Sequence, residues 1–589
     1  MHPLKIALLA AAIATASLAG CRQAPPPADD TATTPAAASA AADAQWQPAV
    51  DAFIGGYFQR FPTAGANAGK HEFDGKLPDW SPQGLKATTD WLQSQRDRIA
   101  SFDKLDAAQS YQRDYVLAMI DGQLFWLRDS GFAHSNPAFY AGDLSPSMYL
   151  TRPYAPLPQR MAAFVAYQEA LPKAIEQVRG NLKTPLPATY VDLGVSIFGG
   201  YSAFFAKDVP AIFAEVKDQA LQARFKAANA AAIKATQDMA DWFAAQKPQA
   251  TQDFALGSET FSKMLASTER VDVPLDQLKA IGEADLARNL ASLKAACDEF
   301  AAGEPLPDCI ARANADKPQG GAVEGARAQL ASLKQFLLDK DLVTIPGTEE
   351  AKVDEAPPFN RSNFAYIEIP GPYEKNLPSV YYIAPPDPKW PQAEQAAYLP
   401  GKSRLLFVSA HEVWPGHFLQ FLHANRAEWI FGRLFVGYAF AEGWAHYTEE
   451  MMFDAGLEGA TPEVHIGQLT NALLRDVRYL SAIGLHTGGM TVAQSERMFK
   501  EKAFQDPGNA RQQAARGTYD PAYLNYTLGK LMIMQLRQDW TASRGGRKAW
   551  KAFHDQFLGY GGPPVPLVRG QMLGRKAEAK LWQAPAAKN

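Results

Sequence analysis

Cysteine is nearly missing from this sequence. Three occur in 589 residues, at 21, 297 and 309, and Cys21 closes an N-terminal export-like segment. Only Cys297 and Cys309 therefore remain to pair inside the chain. An excess of positive charge is also lacking: 58 Lys and Arg stand against 62 Asp and Glu, a formal net charge of -4, so nothing basic points to nucleic acid. No fixed-period repeat is evident, which sets a solenoid aside. What is present is the composition of a folded globular protein, 47% hydrophobic, 11% aromatic and 20% charged. At this length one ordinary core is too few, so at least two lobes are expected, with room for a deep cleft.

The first residues, "MHPLKIALLAAAIATASLAGC", carry a short basic start at Lys5, an apolar run too short for a convincing spanning helix, and then small residues. Residues 1–20 read as a signal peptide. Leu18-Ala19-Gly20-Cys21 resembles the bacterial lipobox, which implies cleavage before Cys21 and lipidation of that cysteine; plain secretion with cleavage after Ala19 or Gly20 is the alternative. Arg22 follows where an aspartate would signal retention, so the expected location is periplasm-facing, anchored in an outer membrane through the lipid alone. Residues 21–45 are rich in Pro, Ala and Thr and read as a disordered tether. In that oxidising compartment a structural disulfide between Cys297 and Cys309 is expected across the Gly- and Pro-containing segment "CDEFAAGEPLPDC", ahead of a two-cysteine metal site.

From 46 to 342 the pattern is mostly helical. "LPQRMAAFVAYQEALPKAIEQVRGNL" and "PLDQLKAIGEADLARNLASLKAACDEF" place apolar residues three and four apart between Pro and Gly punctuation. The texture changes near 343. "LVTIP", "FAYIEIP" and "SVYYIAPP" read as strands or extended edge segments, their flanking prolines arguing against central strands. Helix is expected again from about 403 to near the end. The division predicted is a helical N-terminal lobe (46–342) and a second lobe (343–589) whose small β region precedes the chemistry. Such a β region either offers an edge to an extended peptide or merely caps the helices.

The chemistry is expected around "HEVWPGH", residues 411 to 417. In a regular helix an i, i+4 pair lies about 40° apart on one face, but the i, i+6 pair His411 and His417 is about 240° around and about 9 Å along the axis. An unbroken helix cannot set both imidazoles on one ion. Pro415 lacks the N–H that would bond the His411 carbonyl, and Gly416 tolerates unusual dihedrals, so the helix is predicted to bulge or break there. A catalytic zinc takes three protein ligands and keeps an open position. The third is sought in "FAEGWAHYTEEMMF", where Glu442, His446 and Glu449 share one helical face. Glu442 is the choice, with Glu449 the open alternative; Glu449, His446 and Arg478 are expected to orient the ligands. Glu412 would move the water's proton to a leaving amine. Candidate donors to a developing oxyanion are Arg475, Arg478, His486 and Tyr526. His423 and His465 read as ordinary histidines.

"HEVWPGHFLQ", "FAEGWAHYTEE", "RDVRYLSAIGLHTGGMT" and "PAYLNYTLGKLMIMQLR", in that order, resemble the bacterial domain-of-unknown-function 885 family, whose members look like zinc metallopeptidases of the thermolysin-like superclan. The resemblance extends upstream through "SETFSKMLASTERVDVPLDQLKAIGEADLARNL" and covers most of the mature chain. It implies a mainly α, multi-helix metallopeptidase-like fold with a cleft. It also implies one zinc per chain on His411, His417 and Glu442, with Glu412, His486 and Tyr526 as catalytic residues. The chain departs from that pattern at His446, where an aliphatic residue is expected, and at Ile483-Gly484, where an acidic residue usually precedes Gly-Leu-His. The insertion is similar in kind to the His-Glu-x-x-x-His motif of dipeptidyl peptidase III. The expected activity is peptide-bond hydrolysis by a metal-activated water. The alternatives are a zinc hydrolase of a non-peptide amide or ester, or an inactive lipoprotein binding peptide or cell wall.

Overall fold

The structure, a computed structural model, describes residues 44–357, 361 and 363–584. The expected signal peptide, Cys21 and nearly all of the expected tether lie outside the described residues. Among those described, no helix is long and apolar enough to cross a membrane.

The fold is mainly helical, and its helices gather around two hydrophobic cores. The first takes in helices Trp46–Arg60, Leu157–Asn181, Ala188–Lys207 and Gln219–Gln246, joined by Phe431 and Leu567 from later in the chain. Helix Leu157–Asn181 shows why its pattern is helical: Met161, Phe164, Val165, Gln168 and Leu171 fall on one buried face. The second core runs from Phe261 to Leu581, with Phe125. Helix Leu275–Phe300 belongs to it, through Leu278, Ile281, Leu286 and Leu293; burying each such side chain contributes roughly 1.5–3 kcal/mol. Its Gly282 lies against Tyr479 so closely that a Cβ there would come within 2.5 Å of the ring, and Asn289 Nδ2 donates to Asp476 Oδ2 at 2.7 Å. Helix Leu275–Phe300, placed by the sequence in the expected N-terminal lobe, thus packs on helix Pro462–Thr487 of the expected second lobe. Cys297 and Cys309 form a disulfide, Cα atoms 5.9 Å apart, tying helix Leu275–Phe300 to Leu306–Ala315.

A three-stranded sheet precedes the site helices. β1 (Ala351–Glu355), β2 (Ala365–Glu368) and β3 (Ser379–Ile383) lie in the order β1-β3-β2. β1 runs parallel to β3 with Ala351 opposite Ser379, and β2 antiparallel with Ala365 opposite Ile383. Two expectations are corrected. β3, read as an edge, is the central strand, because Pro378 and Pro385 flank the ladder and leave every N–H within it free to pair. "LVTIP" is no strand. Side chains take its backbone groups: the Leu342 carbonyl accepts from His554 Nδ1 at 2.7 Å, the Thr344 carbonyl from His423 Nε2 at 2.8 Å, and the Thr344 N–H donates to Asp555 Oδ1 at 2.7 Å.

Candidate metal centre

Helix Lys402–Glu412 stops one residue after His411, and a second helix, His417–Ala424, starts at His417. Between them Val413 leaves the helical region (φ −124, ψ −75), the Trp414–Pro415 peptide is cis, and Gly416 takes φ −72, ψ −129. The Gly416 N–H donates to the Ala410 carbonyl at 2.9 Å. A Cβ on residue 416 would stand 1.7 Å from the His411 carbonyl oxygen, so this close return of the chain requires glycine. Trp444 Nε1 donates to the Pro415 carbonyl at 2.8 Å, tying the break to the helix that carries Glu442. The segment is a true break between two helices, more than a bulge in one. Its result is that the His411 and His417 rings face each other at 89°, centroids 4.8 Å apart.

Glu442 Oε2 completes the group, 3.3 Å from His411 Nε2 and 3.2 Å from His417 Nε2. Among the described residues this is the set of three His, Cys, Asp or Glu side chains able to hold a metal ion, their ligand atoms within 4.8 Å of one another. Glu442 sits on helix Tyr438–Asp454, which crosses helix Asn525–Thr541 at Gly443 and Gly529; a Cβ on Gly443 would meet Gly529 Cα at 2.4 Å. Two small residues thus set the depth at which the carboxylate enters.

The electrostatics suit a cation. Burial would lower the His411 pKa, yet hydrogen bonding to Glu442 and Glu449 raises it to about 9. Burial likewise opposes ionisation of Glu442, but His417 and His411 hold it well below the usual carboxylate range. Glu442 Oε2 is buried and faces both imidazole nitrogens. A carboxylate oxygen aimed between two imidazole nitrogens fits a divalent ion, and the two-histidine, one-carboxylate donor set is one that catalytic zinc uses. Glu449, the alternative ligand, instead receives His411 Nδ1 at 2.8 Å; this leaves the Nε2 lone pair directed at the centre.

The remaining expected residues divide. Glu412 is largely buried and makes no hydrogen bond to another described residue, with His411, His417 and Glu442 as its charged neighbours; burial raises its carboxyl. Tyr526 lies nearly parallel to His411, ring centroids 6.2 Å apart. Arg475 reaches Glu449 Oε1 at 3.5 Å, and Arg478 stands over the Tyr526 ring at 4.8 Å. His446 is fully buried with Nδ1 3.4 Å from Glu449 Oε1, and burial, then the charge of Lys530, lowers it to about 4, a neutral ring. His486 requires a correction. Its Nε2 donates to the Gly517 carbonyl at 2.7 Å and its Nδ1 accepts from the Leu256 N–H at 3.3 Å, while its ring packs on Phe261. Both nitrogens are occupied by backbone, so it fastens helix ends and has none left for substrate. His423 and His465 are also away from the centre, bonded to Thr344 and stacked on Phe453.

Two contributors were not foreseen. Tyr381 of β3 is fully buried, and burial, then the Glu412 carboxylate, pushes its phenol far above the usual range. Glu269 Oε1 accepts from the Ala439 N–H at 3.3 Å and from Asn525 Nδ2 at 3.1 Å, joining the starts of the helices bearing Glu442 and Tyr526. No spacing rule reaches these residues, since each is distant in sequence from the groups it supports.

The fold is shared. A protein of Shewanella oneidensis described as a lipoprotein of unknown function is 25% identical with a TM-score of 0.74, over 90% of this chain and 100% of that one. A protein of Colwellia psychrerythraea described as a lipoprotein superposes with a TM-score of 0.71 at 16% identity, over 88% of this chain and 96% of that one. No curated protein matched the chain. Residues 62–572 match the family described as "Bacterial protein of unknown function (DUF885)", and the chain belongs to that family.

Proposed function

We propose that the chain is a zinc-dependent peptidase. The observation that carries this reading is the convergence of His411, His417 and Glu442 beside a Glu412 carboxylate left free of hydrogen bonds to its neighbours. When bound, zinc supplies Lewis-acid polarisation of a carbonyl and acidifies water. Glu412 accepts the proton of the attacking water on its carboxylate and returns it to the departing amine. Tyr526 faces His411 and donates its O–H to the oxygen that gains charge at the carbonyl. Glu449 keeps the His411 proton on Nδ1. Tyr381 and the neighbouring apolar side chains limit water around Glu412. The protein acts at the periplasmic face of an outer membrane, held through Cys21 by lipid.

The test is metal analysis and turnover on pure protein. Wild type is expected to hold one zinc per chain and to cleave peptides in a chelator-sensitive way. Glu412→Gln keeps the zinc and loses at least about 100-fold in rate, the usual scale for removing a general base. Wild-type protein that neither contains nor takes up zinc would end the proposal. Cleavage of esters or non-peptide amides alone would move it to another substrate class, and unchanged biological activity in Glu412→Gln would favour a binding role.

A further inference from the structure

Arg478, over the Tyr526 ring, lacks the carboxylate partners that Arg288 and Arg152 have. Arg288 is gripped by both oxygens of Glu450 and by Asp285, and Arg152 by Glu368 and Glu374. Arg478 is buried, yet its Nε donates to a neutral amide, Gln513 Oε1, at 2.8 Å, and it forms no ion pair with a described residue. Arg404 is held in the same way, Nη2 donating to Gln505 Oε1 at 3.3 Å. The two amides belong to one ladder: Gln513 Nε2 donates to Asn509 Oδ1 at 3.3 Å, and Asn509 Nδ2 to Gln505 Oε1 at 2.6 Å. Arg475 is fixed by the carbonyl and side chain of Asn471 and shares Glu449 with His411.

Amides orient a guanidinium without neutralising it, and a buried charge lacking a counter-ion is costly. The uncompensated charge is felt locally: burial, and to a lesser degree Arg516 and Arg475, pulls Arg478 down to about 10. A planar guanidinium held by one edge and open at the other is built to take a carboxylate in two parallel hydrogen bonds. Its position agrees. The Tyr526 ring lies 6.2 Å from the His411 ring and 4.8 Å from Arg478 Cζ, so at most about 11 Å separates the metal-binding imidazole from the guanidinium. With successive Cα atoms about 3.8 Å apart, that span reaches a carboxylate one or two residues beyond a bond undergoing cleavage.

We propose that Arg478 binds a substrate carboxylate one or two residues past the scissile bond. The site thereby favours short peptides or chain ends with a free C-terminus. This rests on the peptidase reading for its meaning, although the carboxylate site can be measured without turnover. An acidic side chain at the same position offers the same chemistry.

The test uses zinc-loaded Glu412→Gln protein and calorimetry with three N-acetylated tripeptides: one with a free C-terminal acid, its amide, and an amide ending in aspartate. The free acid is expected to bind about 10- to 150-fold more tightly than the plain amide, the range for a charge-assisted hydrogen-bonded pair. Adding Arg478→Met brings that ratio near one, and Arg478→Lys restores part of it; melting curves confirm folding in both. Tighter binding of the aspartyl amide alone keeps the carboxylate site and assigns it to a side chain. Equal binding of all three peptides, or a preference that survives Arg478→Met, overturns the proposal, as does no binding at all. Wild-type turnover separates the two readings. Acid-selective binding with no cleavage removes the peptidase and keeps the site, whereas cleavage indifferent to the carboxylate does the reverse.

Discussion

Gly443→Ala puts helix propensity and packing in direct opposition. Propensity alone favours alanine in a helix interior by about 1 kcal/mol. In this structure the new Cβ would lie 2.4 Å from Gly529 Cα, 2.5 Å from its carbonyl carbon and 2.9 Å from Lys530 N. All three are backbone atoms that no rotamer change can move. Ordinary contact begins near 3.4 Å, so the helices must part by about 1 Å, at an overpacking cost of about 1–3 kcal/mol. Glu442 is the adjacent residue and moves with its helix, while metal–ligand distances tolerate only about 0.2 Å. We therefore expect zinc affinity to fall about 100-fold, equivalent to ~2.7 kcal/mol, read by chelator competition, with a net loss of stability in urea. Gly529→Ala, whose Cβ would stand 2.0 Å from the Ala439 carbonyl oxygen, should behave the same way. A Gly443→Ala protein that is more stable and binds zinc as wild type does would refute the reasoning.

Further outcomes follow from individual contacts. Glu449→Gln preserves shape but removes the carboxylate that orients His411 and faces Arg475, and is expected to weaken zinc by about 10- to 100-fold in the same competition assay. Replacing Cys297 and Cys309 together by serine opens a link of sequence separation 12 and should cost about 3 kcal/mol in urea, with zinc content unchanged. Burial raises the Glu269 carboxyl to about 8 against the opposing Ala439 N–H. Folding therefore favours its protonated form, and the associated stability, complete below pH 4.5, is lost as pH rises through about 8. The linked free energy is on the order of 5 kcal/mol. In Glu269→Gln the fall in denaturation midpoint between pH 5 and 8 should flatten; an unchanged pH profile would place the protonation elsewhere.

How far the sequence reached depended on the range of the interaction. Helical periodicity exposed the buried faces of Leu157–Asn181 and Leu275–Phe300 because side-chain phase is a local property. The wrong spacing of His411 and His417, with Pro415 and Gly416 between them, required the helix to stop, since a straight helix would point the rings apart. Glu442 followed from donor chemistry and helical phase. Other features were not legible in that way. Nothing local assigns helix Leu275–Phe300 to the second core, a placement made by Gly282 on Tyr479 and Asn289 on Asp476. His486 matches a catalytic position by motif, but the Gly517 carbonyl and the Leu256 N–H, far off in sequence, occupy its two ring nitrogens.

What the sequence by itself determined was the helical class, the break at Pro415-Gly416 and the convergence of His411 and His417 that the break requires, all governed by residues within a few turns of one another. Only the tertiary structure decided how deeply Glu442 enters, which carboxylate turns toward His411, and that Arg478 and Arg404 face amides where an ion pair could have formed. Those outcomes depend on contacts between segments tens to hundreds of residues apart, where Gly443 meets Gly529 and Glu269 meets Ala439. Chain closure over such distances is set by packing of the whole core, for which no local pattern stands in.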